Sequence, residues 1–550
     1  VHTYYGASPH TGLPPVTDWP RLDAADPIAF GVRPTRKFAD EATLPPYVAR
    51  DGDALLERRM SAAAEAGGLV LVTGEPLSPR RRGREPGGVG LQGETAGAHQ
   101  GSARYRRGVN DSPAPRIPEH PACPHSTTTP ESGPALFTWE FATDPYPAYA
   151  WLREHRPVHR TSLPSGVEAW LVTRYADARQ ALADARLSKN PANHAESPHA
   201  KGKTGIPGER KAELMTHLLN IDPPDHTRLR RLVSKAFTPR RVAEFAPRVQ
   251  ELTDRLIDRF IEDGEADLIH DLAFPLPIYA ICDLLGVPRE DQDDFRDWAG
   301  MMIRHGGGPR GGVARSVKKM RGYLAELIHR KRENPGDDLI SGLIRASDHG
   351  EHLTENEAAA MAFILLFAGF ETTVNLIGNG MYALLRHPEQ RARLEASLAA
   401  GESGLLATGI EELLRYDGPV EMATWRYATE PLTLGGEEIA AGDPVLVVLA
   451  AADRDPERFE DPDTLDLARR DNQHLGYGHG IHYCLGAPLA RLEGQSALAT
   501  LLRRLPGLRL AADPADLRWR GGLIMRGLRT LPVAFEPGSR TEKGDLLSTL

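Results

Sequence analysis

The stretch from Thr354 to His387 limits what this chain can fold into more than any other. Thr354 and Glu357 stand at the spacing of a capping box. His387-Pro388 closes the far end, because a residue before proline avoids helical backbone angles. The residues between them, about 33 at 1.5 Å rise, form a rod of roughly 50 Å. Over Met361–Phe370 the rod is apolar nearly all round. Such a helix runs through the middle of a large domain. Its most apolar run, Ala358–Phe370, is too short to span a bilayer and is ended by Glu371.

Length alone, 550 residues, suggests three or four ordinary domains. Composition instead divides the chain into an N-terminal extension (1–133), one large domain (134–537) and a short C-terminal tail (538–550). Residues 76–133 are rich in Pro, Gly, Ser and Arg and poor in apolar periodicity, so they cannot bury enough surface to offset their ordering entropy. We expect them to be disordered. Before them lie a possible helix at Asp53–Ala66 and a strand at Leu69–Thr73. Gly74 raises the question of a phosphate loop, but Pro79, Arg80 and Arg81 stand where that loop needs Gly-Lys-Ser/Thr.

The net charge of −9 is modest for this size and does not suggest a nucleic-acid binder. Three cysteines, Cys123, Cys282 and Cys484, form neither a disulfide framework nor a paired zinc pattern. They suit a reducing cytosol. VHTYYGASPH lacks the charged head and apolar core of a signal peptide. The expectation is a soluble cytoplasmic protein, monomeric, with no membrane contact.

From Phe137 onward the chain reads as mainly α with small sheets. A hairpin is expected over Val158–Thr173 around Pro164-Ser165-Gly166, and short strands over Leu432–Val448 around Gly435-Gly436 and Gly442-Asp443. Helices are expected over Arg240–Glu262 and Val317–Arg332.

The strongest chemical signal is HLGYGHGIHYCLGAPLARLEGQSAL. Gly476, Gly478 and Gly480 precede Cys484, and Gly486 follows it. Glycines permit tight turns and close approach of backbone to a flat ligand. Pro488 suits the first turn of a helix reaching about Arg504. Cys484 therefore sits in a glycine-built loop at a helix N-terminus, where the dipole and the local N–H groups favour thiolate.

This segment resembles the haem-binding loop of cytochromes P-450. The matching positions are Tyr477, Gly478, Gly480, His482, Cys484 and Gly486, with Tyr477 where the family usually has Phe. Its hydroxyl would alter hydrogen bonding near the sulfur. The resemblance covers about residues 137–537 and implies the cytochrome P-450 fold, in which a large helical domain with small β-sheets encloses haem b. Cys484 would be its axial iron ligand, pushing electron density toward bound oxygen.

Glu412 and Arg415 in EELLRY stand one helical turn apart, close enough to pair. They resemble the family's Glu-x-x-Arg motif, and Arg458 in DPERFEDP would complete its buried charge triad. His226, Arg230, Arg426, His474 and His482 match the family's contacts to the haem propionates. Arg228, Arg231, Lys235, Arg240 and Arg241 accompany them and would form a docking face for an acidic ferredoxin.

Within the long helix, Ala368-Gly369-Phe370-Glu371-Thr372-Thr373 resembles the oxygen-binding turn. Gly369 weakens the helix and Thr372 can divert hydrogen bonds from it. Ala368 and Gly369 would flank the haem, with Glu371 as acid and Thr372 as alcohol of a proton relay. The chain has no flavin or nicotinamide motif, so electrons would come from NAD(P)H through a ferredoxin or flavodoxin and its reductase.

The implied activity is hydroxylation or epoxidation of a hydrophobic small molecule by O2, with polyketides, macrolides and steroid-like secondary metabolites as the substrate classes. By position, Phe363, Phe367, Val420, Met422, Ala423, Thr424 and Ile524 would line the pocket, together with stretches around 192–207 and 301–312. The alternatives are a haem-thiolate sensor and a peroxide-driven oxygenase. Glu371 and Thr372 weigh against both, since neither needs the relay.

Overall fold

The computed structural model describes residues 133–190, 193, 217–303, 312–348, 351–520 and 522–540. The expected helix, strand and disordered stretch before Gly133 lie outside them, as do most of 192–207 and 301–312.

Four helices position the site. They are α1 (Asp225–Ala236), α2 (Glu355–Arg386), α3 (Gly404–Asp417) and α4 (Ala487–Arg504). Helix α2 is the axis of the domain. Thr354 and Glu357 form the capping box from sequence, each side chain meeting the other's backbone N–H. Glu357 also takes the Arg228 guanidinium of α1, tying the cap to a neighbouring helix. The far end stops at His387, before Pro388. Although α2 is long and apolar enough to cross a membrane, 67% of its most apolar window is buried against the rest of the protein.

Helices Pro275–Leu285, Gly312–Glu333, α3 and α4 pack around α2. Two glycines admit this closeness. A Cβ on Gly378 would stand 2.5 Å from Ile269 Cδ1, and one on Gly380 would stand 3.3 Å from Leu413 Cδ1. Helix Gly312–Glu333 covers and extends the expected Val317–Arg332. The single helix expected over Arg240–Glu262 is instead two, Pro239–Glu244 and Ala246–Ile257, with Phe245 between them. Pro247 opens the second, because its ring cannot sit inside a continuous helix.

The hairpin pairs Val158–Ser162 with Glu168–Val172, and Gly166 takes the left-handed turn position at φ +80°. It forms one edge of a five-stranded sheet. Pro444–Val447 runs parallel to Glu168–Val172; beyond it come Arg426–Ala428 and Leu187–Ser188, both antiparallel. Leu432–Leu434 and Glu437–Ile439 form a separate hairpin. The C-terminal residues described stay on the domain, since Gly538 N donates to Ile261 O and Arg540 pairs with Glu262.

Candidate active site

Cys484 follows a tight loop. Its N–H donates to Tyr477 O at 2.9 Å, closing the turn that contains Gly478 and Gly480, each at φ +74°. Gly480 also allows close contact, because a Cβ there would stand 3.0 Å from Leu182 O. Burial pushes the Cys484 thiol up. The Gly486 and Ala487 N–H groups at the start of α4, with Arg230 and Arg491, pull it the other way without overcoming burial. A bound metal cation would act with these donors to draw off the thiol proton.

Beside Cys484 lies a nest of buried basic groups with too few acceptors. The His226 and His482 rings meet at a tilt of 56° with centroids 4.4 Å apart. Both nitrogens of His226 and Nδ1 of His482 are buried with no hydrogen-bond partner among the described residues. Burial, then the neighbouring cations, brings His482 down to about 3. Arg426 is buried, brought down to about 10 by burial, and makes one long bond to Thr424 O at 3.3 Å. Arg230 reaches from α1 to Tyr483 O at 2.8 Å and lies close enough to Cys484 to feel its charge. Cations and orphaned donors gathered in one buried place cost free energy unless an anion meets them.

Sequence reasoning missed one member of this nest. Lys189 is wholly buried, and its Nζ donates to Thr424 O (2.8 Å), Thr424 Oγ1 (2.6 Å) and Trp425 O (2.5 Å). Burial, then Arg426, holds its pKa well below the ordinary lysine range. It follows the short strand Leu187–Ser188, and nothing in its local spacing marks it.

Two assignments from sequence are corrected. His474 does not belong to the nest. Its Nε2 meets Glu411 at 3.2 Å and its Nδ1 accepts from Gly476 N, so both nitrogens are used. It completes a triad with Arg491, which grips both Glu411 oxygens at 2.7 and 2.8 Å. Arg458 does not reach Glu412. It pairs with Asp471 through two bonds, at 2.9 and 2.6 Å. The second arginine on Glu412 is Arg469, whose Nε lies 3.2 and 3.1 Å from its two oxygens. Arg415 holds the same carboxylate twice at 2.8 Å and also donates to Asp453 O, Pro462 O and Thr464 O. Asn472 Nδ2 and Asp466 N add further donors. The meander Asp453–Asn472 is thereby tied to α3 just before the glycine loop.

Tyr477 is buried, and its hydroxyl has no partner among the described residues. Arg491 covers its ring at 4.5 Å.

On α2, Ala368 is exposed and Gly369 and Thr372 are partly exposed, within a helix otherwise largely buried. Thr372 Oγ1 donates to Ala368 O at 2.9 Å, so the hydroxyl does engage the ladder. The helix nonetheless continues unbroken through this turn. Phe363 and Phe367 stack nearly parallel, with centroids 6.3 Å apart, just before it. Val420 bridges to Met525, and Glu421 N donates to Ile524 O, which brings segments 420–424 and 524–525 side by side. Met422 departs from its expected place in the pocket. It is 1% exposed and belongs to the buried cluster of Tyr149, Leu152 and Leu171, because side chains alternate along an extended segment.

A flat ligand carrying two carboxylates would supply acceptors to His226, Arg230, Arg426 and His482 while presenting its centre to Cys484. The propionates of haem b have that chemistry, and the residues present fit it. The class is thus a haem-thiolate protein. The cytochrome P450 family model matches residues 307–507. The chain is 49% identical to the cytochrome P450 monooxygenase PikC of Streptomyces venezuelae over 402 residues, 72% of this chain and 93% of that one. It is 43% identical to a vitamin D(3) 25-hydroxylase of Pseudonocardia autotrophica, over 75% of this chain and 99% of that one. The ligand-free P450 monooxygenase TamI superposes with a TM-score of 0.66 at 43% identity, covering 74% of this chain and 95% of its own. The chain belongs to the cytochrome P450 family and is a monooxygenase, using haem b, O2 and electrons that originate in NAD(P)H and arrive through partner proteins.

Proposed function

We propose that this enzyme hydroxylates or epoxidises a hydrophobic secondary metabolite of the polyketide, macrolide or steroid-like class. The observation that carries the site assignment is the buried basic nest beside Cys484, since no group within the described residues meets either His226 nitrogen or His482 Nδ1. His226, Arg230, Arg426 and His482 would hold the propionates. Haem b, when bound through Cys484, supplies oxygen activation. The chain's own residues do the rest.

Thr372, partly exposed on the open strip of α2, would pass protons received from Glu371. Phe363, Phe367, Val420, Ala423, Thr424 and Ile524 would give the substrate an apolar wall with few hydrogen-bonding groups. Such a wall suits large hydrophobic molecules and excludes water. The vitamin D(3) 25-hydroxylase relative is consistent with a substrate of this kind.

A cytoplasmic monomer reduced by a ferredoxin or flavodoxin fits this reading. The basic face is weaker than its sequence suggests. Arg228 pairs with Glu357, Arg240 with Glu244 and Arg241 with Asp337. Ferredoxin steering would draw on the net charge of the whole face, and reversing two of its charges should slow reduction at low salt.

The optical spectrum of the reduced, carbon-monoxide-treated protein tests the site. A Soret band shifted far to the red supports it, and folded protein without haem overturns it. Screening macrolactones, linear polyketides and sterols for a haem spin shift then tests the substrate class. Shifts confined to small polar compounds would refute it.

A further inference from the structure

We infer that the Thr424 hydroxyl is a further donor to the anionic edge of the bound haem, and that Lys189, which lies behind it, is its positioning residue. The inference rests on the reading of the buried basic nest as the propionate site.

The geometry starts from how Lys189 is held. Asp222 fixes the chain on which it stands. One carboxylate oxygen accepts from Lys189 N at 2.8 Å and the other from the Ser188 hydroxyl. The strand Leu187–Ser188 pairs antiparallel with Arg426–Ala428, with Leu187 opposite Ala428 and Ser188 opposite Tyr427. The next step of that register brings Lys189 to Arg426. Its ammonium reaches the two residues that lead into the partner strand and donates to Thr424 O at 2.8 Å, Thr424 Oγ1 at 2.6 Å and Trp425 O at 2.5 Å. A lysine has three hydrogens to give. All are used on the chain, and none is left for a ligand.

Thr424 is placed differently. Its carbonyl is shared by Lys189 and by Arg426 Nη1, the latter at 3.3 Å, so the residue lies between two buried cations. Its hydroxyl oxygen accepts from the ammonium, and no acceptor among the described residues takes the hydroxyl proton. Residues 421–423 and 425–428 are buried, while Thr424 is partly exposed. It alone in this stretch borders open space. The groups around it are short of anions. Lys189 and Arg426 both act on His482. Asp222 faces Lys189, Arg426 and His226, but its oxygens are already taken by Ser188 and the Lys189 backbone.

A hydroxyl whose oxygen accepts from an ammonium is polarised, and its own O–H becomes a stronger donor. A carboxylate entering the nest beside Arg426 thus meets a short, rigid donor backed by a cation. Bonds of that kind are among the stronger ones. The ammonium stays bonded to the backbone throughout and acts only through Thr424.

The test uses the haem-loaded full chain with Thr424→Val, Thr424→Ser, Lys189→Met, the double variant Lys189→Met with Thr424→Val, and Arg426→Gln. Resonance Raman spectra follow the propionate bending band, which shifts when a hydrogen bond to the carboxylate is lost. Transfer of haem to excess apomyoglobin measures its release. Thr424→Val keeps the shape of the side chain and removes the hydroxyl. It should shift the band and speed release about tenfold, the loss of one bond to a charged group. Thr424→Ser should keep both near wild type. Lys189→Met should move the band in the same direction and speed release to a similar degree. The double variant should release haem no faster than the faster single one, because both act through one bond. A band unmoved in Thr424→Val but moved in Arg426→Gln overturns the inference while the nest reading stands. A band unmoved in both overturns the inference together with the nest reading. If Lys189→Met leaves the band in place and its effect on release adds to that of Thr424→Val, Lys189 only braces the strand and its positioning role is refuted.

Discussion

At the residue scale the site is built on groups that burial makes costly by themselves. Burial pushes the Cys484 thiol up against the N–H groups aimed at it. Cys484→Ala should leave the fold intact and abolish the red-shifted carbon monoxide band, since no other cysteine stands in the loop. Tyr477 presents a buried hydroxyl with no partner among the described residues, where the related loops usually carry Phe. Leaving such a group unmet costs about 1–3 kcal/mol. Tyr477→Phe should therefore raise unfolding stability by about 1 kcal/mol in chemical denaturation and keep the haem band. A loss of stability would mean that the hydroxyl has a partner in the loaded protein.

At the scale of elements, the meander before the glycine loop is locked to α3 by one carboxylate. Glu412 and Arg415 have wholly buried side chains, and Glu412 accepts from Arg415, Arg469, Asn472 Nδ2 and Asp466 N. Removing one partner of a buried pair leaves an uncompensated charge, at about 3–5 kcal/mol. Arg469→Ala should lose on that order in unfolding free energy and retain haem poorly during purification. Arg458→Ala should change stability little, because its partner Asp471 is exposed and its pair is screened. Equal effects of the two substitutions would refute the reassigned triad. Glu-x-x-Arg was legible from local spacing because three residues make one helical turn. Its third member was not, since Arg458 and Arg469 differ only in how the meander folds back.

Across the whole molecule, buried acids set opposing responses to pH. Burial pushes the Glu411 carboxyl up, but the bonds from Arg491 and His474 outweigh it and bring it from 4.5 down to about 2. A depressed carboxyl contributes stability that is complete above its unfolded value and is lost as pH falls toward the folded one. Glu411→Gln should flatten acid unfolding between about pH 4.5 and 2, read by circular dichroism. Glu493 on α4 behaves oppositely. Burial raises it to about 8, the Thr373 hydroxyl offsetting this only in part. The folded protein then binds a proton the unfolded chain has released, so stability declines as pH rises from 4.5 through 8. Glu493→Gln should remove that decline.

The sequence by itself determined the central helix with its capping box, the loop that carries Cys484, the helix behind it and the family, because each rests on residues adjacent in the chain. Caps, glycine turns and helical periodicity are local, and local geometry is readable from spacing. Only the tertiary structure decided which arginine meets Glu412, that His474 belongs to Glu411, that Lys189 joins the basic nest and that Met422 packs in the core. Each of those depends on chain segments distant in sequence, whose meeting is set by how sheets and helices pack rather than by any nearby pattern.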